Sequence, residues 1–187
     1  MKCSLVLLFL IISVSCRLDY GGDQLTDELS DDIPDTILFE VVHTIVRDGS
    51  PRFRVVADRV ETYSDRDRQY LSGVEFRELN PDGTVKTSGV ANHAEYRVDT
   101  EDVELTGNLM FYSEEEEAWL TADYLYWSSD ARRLTSVPEN PVTVRKADGT
   151  RVVGRGFVAE MSRTHIYFQD GVSGTIVEEE EAAQANE

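Results

Sequence analysis

The sequence predicts an all-β domain of repeated antiparallel hairpins, and three observations carry that prediction. β-branched and aromatic residues cluster in short runs, around Val55, Val56, Val60 and Tyr63 and again around Val103, Leu105, Met110 and Tyr112, and no segment sustains apolar residues at helical spacing. Asp-Gly recurs at Asp48-Gly49, Asp82-Gly83, Asp148-Gly149 and Asp170-Gly171, each near a strand-like run. Both residues tolerate positive φ, so the dipeptide favours tight hairpin turns. The third observation is an internal echo. The interval from Ala57-Asp58 to Gly73 is repeated from Ala91-Asn92 to Gly107, with looser copies from Ala122-Asp123 to Pro138 and from Ala159-Glu160 to Gly171. Each unit is a strand pair too small to be stable alone, so the copies must stack, as two sheets or as one sheet folded over, with apolar side chains between.

The 187 residues suit one domain, and 41% hydrophobic residues supply a core. With 18 Lys plus Arg against 36 Asp plus Glu, the formal charge is -18. Such a surface repels phosphate backbones, which argues against nucleic acid as a partner. The two cysteines, Cys3 and Cys16, lie in the first sixteen residues, which excludes a disulfide framework and a four-thiolate zinc site.

Residues 1–15 read as a signal peptide: Lys2, then an apolar run from Leu5 to Ile12, then small residues before Cys16. The run is too short to span a bilayer, for which about 20 residues are needed. The residues before Cys16 are similar to a bacterial lipobox, with Ser13 where that motif usually has leucine. Lipidation of Cys16 is the expectation; an uncleaved anchor or ordinary cleavage are the alternatives. Residues 16–36 then form a lipidated N-terminus and acidic tether, with Asp19, Asp23, Asp27, Glu28, Asp31, Asp32 and Asp35 in it. Drawn out, its reach is about 70 Å.

Residues 37–177 form the folded domain. Asn80-Pro81-Asp82-Gly83 is its strongest turn signal, and Glu114 to Glu117 is expected at a hairpin tip between Phe111-Tyr112 and Trp119-Leu120. Residues 178–187, opening with Glu178 to Glu181, form an acidic tail with no apolar face.

Several stretches resemble the LptC family, the periplasmic, membrane-anchored component of lipopolysaccharide export. They are Pro51-Arg52-Phe53-Arg54-Val55-Val56-Ala57, Leu71-Ser72-Gly73-Val74-Glu75-Phe76, Thr87-Ser88-Gly89-Val90-Ala91-Asn92-His93-Ala94-Glu95-Tyr96, Val103-Glu104-Leu105-Thr106-Gly107-Asn108-Leu109, Leu120-Thr121-Ala122-Asp123-Tyr124-Leu125-Tyr126-Trp127 and Val153-Gly154-Arg155-Gly156-Phe157. The pattern of repeats carries the likeness, and the bridge protein of the same pathway shares its style. Family members commonly keep a transmembrane helix; this chain offers a lipid anchor instead.

The resemblance implies a β-jellyroll opened along one side, with a hydrophobic groove that shields acyl chains of lipopolysaccharide or a similar glycolipid while the sugars stay outside. It implies as partners the subunits of an inner-membrane ABC transporter and a periplasmic LptA-like bridge protein, joined through sheet edges. The groove candidates are Phe53, Val55, Phe76, Val90, Tyr96, Leu105, Phe111, Leu125, Trp127, Val144, Phe157 and Phe168. Large apolar residues in strands are by default closed core, and periodicity does not separate core from groove. The docking-edge candidates are Phe39 and Val41 at one end and His165, Tyr167 and Phe168 at the other. Small residues at Ala91, Ala94, Ala122 and Ala159 favour an open slot over a filled sandwich.

No catalytic signature is present, neither a nucleophile elbow, a phosphate loop nor a His-Glu zinc motif, so no enzyme and no cofactor are expected. His43, His93 and His165 lack metal-ligand spacing, and four consecutive glutamates do not converge on a calcium ion. The alternative to a lipid carrier is a membrane-anchored β-repeat lipoprotein acting as a scaffold or adhesion module. The inner membrane is the expected location of the anchor.

Overall fold

The structure is a computed structural model that describes residues 33–160 and 165–177. The signal peptide, Cys16, nearly all of the tether and the acidic tail lie outside the described residues. Asp35, assigned to the tether from sequence, already belongs to the folded part: its N–H donates to the Thr62 carbonyl (2.8 Å) and its carboxylate accepts from the Ser64 N–H (2.6 Å).

Six long strands, β1 (Thr36–Arg47), β2 (Ser50–Tyr63), β3 (Arg68–Leu79), β4 (Val85–Arg97), β5 (Asp102–Ser113) and β6 (Ala118–Ser128), pair as antiparallel neighbours in chain order. The sheet forks at β6. Residues 126–128 pair with β7 (Arg133–Thr135), and residues 118–121 pair with β8 (Val142–Lys146). β9 (Arg151–Gly154) follows β8, and β10 (Phe157–Glu160) pairs with β7. β11 (His165–Phe168) ends one branch beside β10, and β12 (Val172–Thr175) ends the other beside β9.

The expected turns form where the dipeptides predict them, with one difference. Asp48-Gly49, Asp82-Gly83 and Asp148-Gly149 join β1 to β2, β3 to β4 and β8 to β9, and Glu114 to Glu117 tips the hairpin of β5 and β6. Asp170-Gly171 instead sits between β11 and β12, which belong to different branches; it turns a corner and closes no hairpin.

That corner runs through the whole molecule. Ladder pairing is interrupted at Glu40, Asp58, Gly73, Asn92, Gly107-Asn108 and Asp123, which lie side by side across β1 to β6. Glu40, Gly73, Gly107 and Asn108 have positive φ, between 49° and 76°. A strand interrupted in this way bends. Gly73 is needed for its conformation and for its lack of a side chain, because the Asp58 carboxylate lies where a Cβ would stand. Asn92 covers Gly107 in the same manner. The repeated Ala-Asp or Ala-Asn with a distant glycine is thus the sequence of a bend, built by a polar residue on one strand and a glycine on the next.

Each long strand therefore contributes to two half-sheets. The first contains residues 36–39, 59–63, 68–72, 93–97, 102–106 and 124–128 with β7, β10 and β11; the second contains 41–47, 50–57, 74–79, 85–91, 109–113 and 118–122 with β8, β9 and β12. One apolar cluster draws on both, joining Ala94, Leu125, Phe157 and Ala159 of the first to Val74, Ala91, Leu109, Ala122 and Val142 of the second. The sheet is folded onto itself, one of the two arrangements that the repeat allowed. Among the described residues no helix is long and apolar enough to cross a membrane.

Candidate functional site

Side chains alternate between the two faces of a strand, but a bend resets the alternation. Except in β5, where Leu105 and Leu109 are four apart, inward positions on either side of the corner are three residues apart: Leu38 and Val41, Ala57 and Val60, Leu71 and Val74, Ala91 and Ala94, Ala122 and Leu125, Gly154 and Phe157. Within each half-sheet the spacing returns to two. This register sorts the interior into layers by distance from the corner.

The layer at the corner is sealed. Leu125 and Val142 are 0% exposed, Phe157 1%, and Ala57, Ala91, Ala94, Leu109 and Ala122 are buried with them. The alanines sit where the half-sheets converge and only small side chains fit between them. Their size follows from the bend, so Ala91, Ala94 and Ala122 do not report a slot.

The next layer is half-buried. In the second half-sheet it runs along paired positions Val55, Phe76, Gly89, Phe111, Leu120 and Val144, with the Phe111 ring lying over Gly89 and burying it. In the first it contains Tyr96, Val103, Trp127 and Leu134. Beyond it, at the ends of the strands, inward positions turn polar: Glu78, Thr87 and Ser113 follow one another across β3, β4 and β5, and Lys86 holds Glu78 at 3.1 Å. The inner surface is apolar at depth and hydrophilic at the rim.

The groove candidates divide accordingly. Val55, Phe76, Tyr96, Phe111, Trp127 and Val144 line the half-buried layer, and Phe53 stacks on Phe76 at 5.8 Å toward the rim. Leu105 packs on the corner layer, and Leu125 and Phe157 belong to the sealed core. Phe168, inward on β11, lies over Gly154 and beside Phe157 at 5.7 Å. Val90 is corrected. It is 44% exposed and pairs with Glu75 and Met110 on the outer face, because its neighbours Gly89 and Ala91 take the inward positions. Sequence reasoning missed Leu38 and Ile45, inward residues of β1 that are 49% and 37% exposed. The three-residue step across Glu40, from Leu38 to Val41, is the signal that locates them.

β1 stands at one end of the strand order, and β11 and β12 at the other. Phe39 is 69% exposed, faces outward and lies under the Arg59 guanidinium at 5.9 Å, whereas Val41 is inward and pairs with Ala57. His165 and Tyr167 are exposed on the outer side of β11. Both candidate stretches thus occupy terminal strands, which among the described residues leave backbone groups without a neighbour on one side.

The outer side of the first half-sheet is an ion-pair network. Arg68 bridges Glu95 at 3.1 Å and Asp99 at 3.4 Å, and Arg97 reaches Glu95 at 3.5 Å and Glu104 at 3.8 Å. Asp102 accepts from the Tyr126 hydroxyl at 2.7 Å and from the Ser129 N–H at 2.9 Å. Burial pushes the Asp102 carboxyl up, but the Ser129 and Tyr126 donors, together with a Thr100 donor and the Arg97 charge, outweigh it and hold the group below the usual carboxylate range. A carboxyl lowered by folding stabilises the protein above its unfolded value and loses that effect as pH falls through the folded one. Tyr126→Phe is therefore expected to cost about 1 kcal/mol at neutral pH. The deficit should shrink in acid, as pH falls through the lowered folded value and Asp102 protonates. Urea unfolding of both proteins at neutral and at acid pH checks this; a deficit that does not shrink in acid rules the pair out as its source. Among the described residues no three His, Cys, Asp or Glu side chains are grouped to hold a metal ion.

An antiparallel sheet bent along one line and folded onto itself, with free strands at either end, is a β-jellyroll. The family model described as "Lipopolysaccharide-assembly, LptC-related" matches residues 4–177, and the chain belongs to the LptC family. Its place is accordingly in lipopolysaccharide transport, among the periplasmic-side components. LptH of Pseudomonas aeruginosa, the LptA homologous periplasmic component of the lipopolysaccharide transport device, superposes with a TM-score of 0.51 at 13% identity, over 67% of this chain and 95% of that one. At that identity the likeness speaks for the fold. A search of curated proteins gave no match.

Proposed function

We propose that the protein carries the acyl chains of lipopolysaccharide, or of a similar amphipathic glycolipid, in the half-buried layer between its half-sheets. It takes the lipid from an inner-membrane ABC transporter and passes it to an LptA-like bridge protein, with no covalent step. The observation that supports this is the layering of the inner surface. Apolar side chains from Val55 to Val144 are neither sealed nor freely exposed, and covering them with hydrocarbon gains about 25 cal/mol per Å². The polar rim leaves the sugars beside groups that hydrogen-bond them. Terminal strands β1 and β11–β12 supply the docking edges, where a partner strand extends the sheet. Diacylglycerol on Cys16 holds the domain to the inner membrane, and the acidic tether gives it reach.

Photo-crosslinking in cells tests the carrier. A photoreactive residue at Phe111 or Tyr96 is expected to capture glycolipid, and the same residue at Val90, on the outer face, is expected not to. Protein adducts without lipid at Phe111 and Tyr96 would instead identify a scaffold.

A further inference from the structure

The outer side of the second half-sheet differs from that of the first. One register row crosses it without a break: Arg54 pairs with Arg77, Arg77 with Ser88, Ser88 with Tyr112, Tyr112 with Trp119, Trp119 with Arg145 and Arg145 with Arg151. All four arginines are exposed, and none of their side chains enters an ion pair, side-chain hydrogen bond or ring contact among the described residues. Arginine twice stands directly opposite arginine, an arrangement that destabilises a sheet. In a chain of charge -18, acidic groups were available to separate them, and on the first half-sheet they do.

The chain leaves the described structure beside one of these pairs. The Val177 N–H donates to the Thr150 hydroxyl at 3.1 Å, one residue from Arg151, and Thr175 pairs with Arg151. The next four residues are Glu178, Glu179, Glu180 and Glu181. Four residues reach about 13 Å. Arg145, on the second strand from β12, is about 10 Å away; Arg77, on the sixth, is about 29 Å away.

We propose that the acidic tail folds back over the second half-sheet and occupies the Arg145–Arg151 end of this row, leaving Arg54 and Arg77 open. Charge complementarity and the tail's point of departure choose this occupant over a separate anionic partner, since a tethered segment faces its site at high effective concentration. Lying on the outer face, the tail also leaves the unpaired edge of β12, the terminal strand from which it emerges, uncovered.

Arginine-selective labelling of the full chain with phenylglyoxal, read residue by residue by mass spectrometry, tests the proposal. In low salt Arg145 and Arg151 are expected to react about threefold more slowly than Arg54 and Arg77. The gap should close at high salt, and also in a variant carrying Glu178→Gln, Glu179→Gln, Glu180→Gln and Glu181→Gln. Those glutamates lie outside the β domain, so an unchanged thermal midpoint shows that the variant is folded. Equal rates in the unsubstituted chain, or a gap that survives the four substitutions, would overturn the proposal. So would vesicles rich in anionic phospholipid that protect all four arginines of the full chain alike, since a bilayer would then be the occupant.

Discussion

Phe157→Ala is expected to remove about 3–5 kcal/mol of stability. The ring is 1% exposed in the sealed layer, with Phe168 against it at 5.7 Å. What places the cost at the upper end is the backbone. The Phe157 N–H donates to the Ser136 hydroxyl at 3.0 Å, and the Ser136 N–H donates back to the Phe157 carbonyl at 2.9 Å, so the strand is pinned and cannot collapse into the space left. Leu38→Ala, at the exposed inner surface of β1, removes a similar apolar group that water already reaches and should cost under about 1 kcal/mol. Urea unfolding of both variants compares them directly. Equal losses would mean that the corner layer is no more tightly packed than the free edge, and the layered description of the interior would have to be abandoned.

Gly154→Ala should cost about 2–3 kcal/mol, unusual for a single methyl group. The backbone of Gly154 needs no special freedom; the demand comes from Phe168, whose ring occupies the space where a Cβ would stand. Gly154 lies in the second half-sheet and Phe168 in the first, so this contact ties the branches together at the C-terminal end of the fold. A methyl group at residue 154 must displace the ring from its place beside Phe157 and loosen β11, which holds by four ladder positions to β10. Combining Gly154→Ala with Phe168→Ala separates clash from other effects. Once the ring is gone the alanine should be nearly neutral, giving a coupling of about 1–2 kcal/mol in the double-mutant cycle. Hydrogen exchange at residues 165–168 should rise in Gly154→Ala alone. Strict additivity would show that the ring and the glycine do not depend on one another.

For the proposed carrier role the two contacts matter through geometry. A carrier that docks by its terminal strands needs those strands held in place while the layer between the half-sheets stays open. The sealed corner and the Phe168–Gly154 contact provide rigidity away from the half-buried surface, so stability and access are assigned to different residues.

Much of this architecture was legible in the residues. Strands, turns and the Ala-Asp repeat are local features: φ preference at Asp-Gly, β-branched runs and the spacing from Ala57 to Gly73 act over a few residues or one strand pair. They specified an all-β stack of hairpins and left open whether it forms two sheets or one sheet folded over. Eleven of the twelve groove candidates face inward, since alternation within a half-strand survives in the sequence.

Val90 failed because its position depends on the bend. An interruption at Asn92 resets which neighbour points inward, and the residues alone do not say where the count restarts. The division between Leu125, sealed, and Trp127, half-buried, was equally beyond the sequence. Both are large apolar residues two apart on β6, and only their distance from the corner distinguishes them. The row from Arg54 to Arg151 is likewise assembled from seven strands, so no local pattern announces it. The sequence by itself determined the strands and the turns, because backbone preferences and pair spacing are local. Tertiary structure alone decided which apolar residues are sealed, which stay open and which charges become neighbours, because exposure depends on what the facing half-sheet covers.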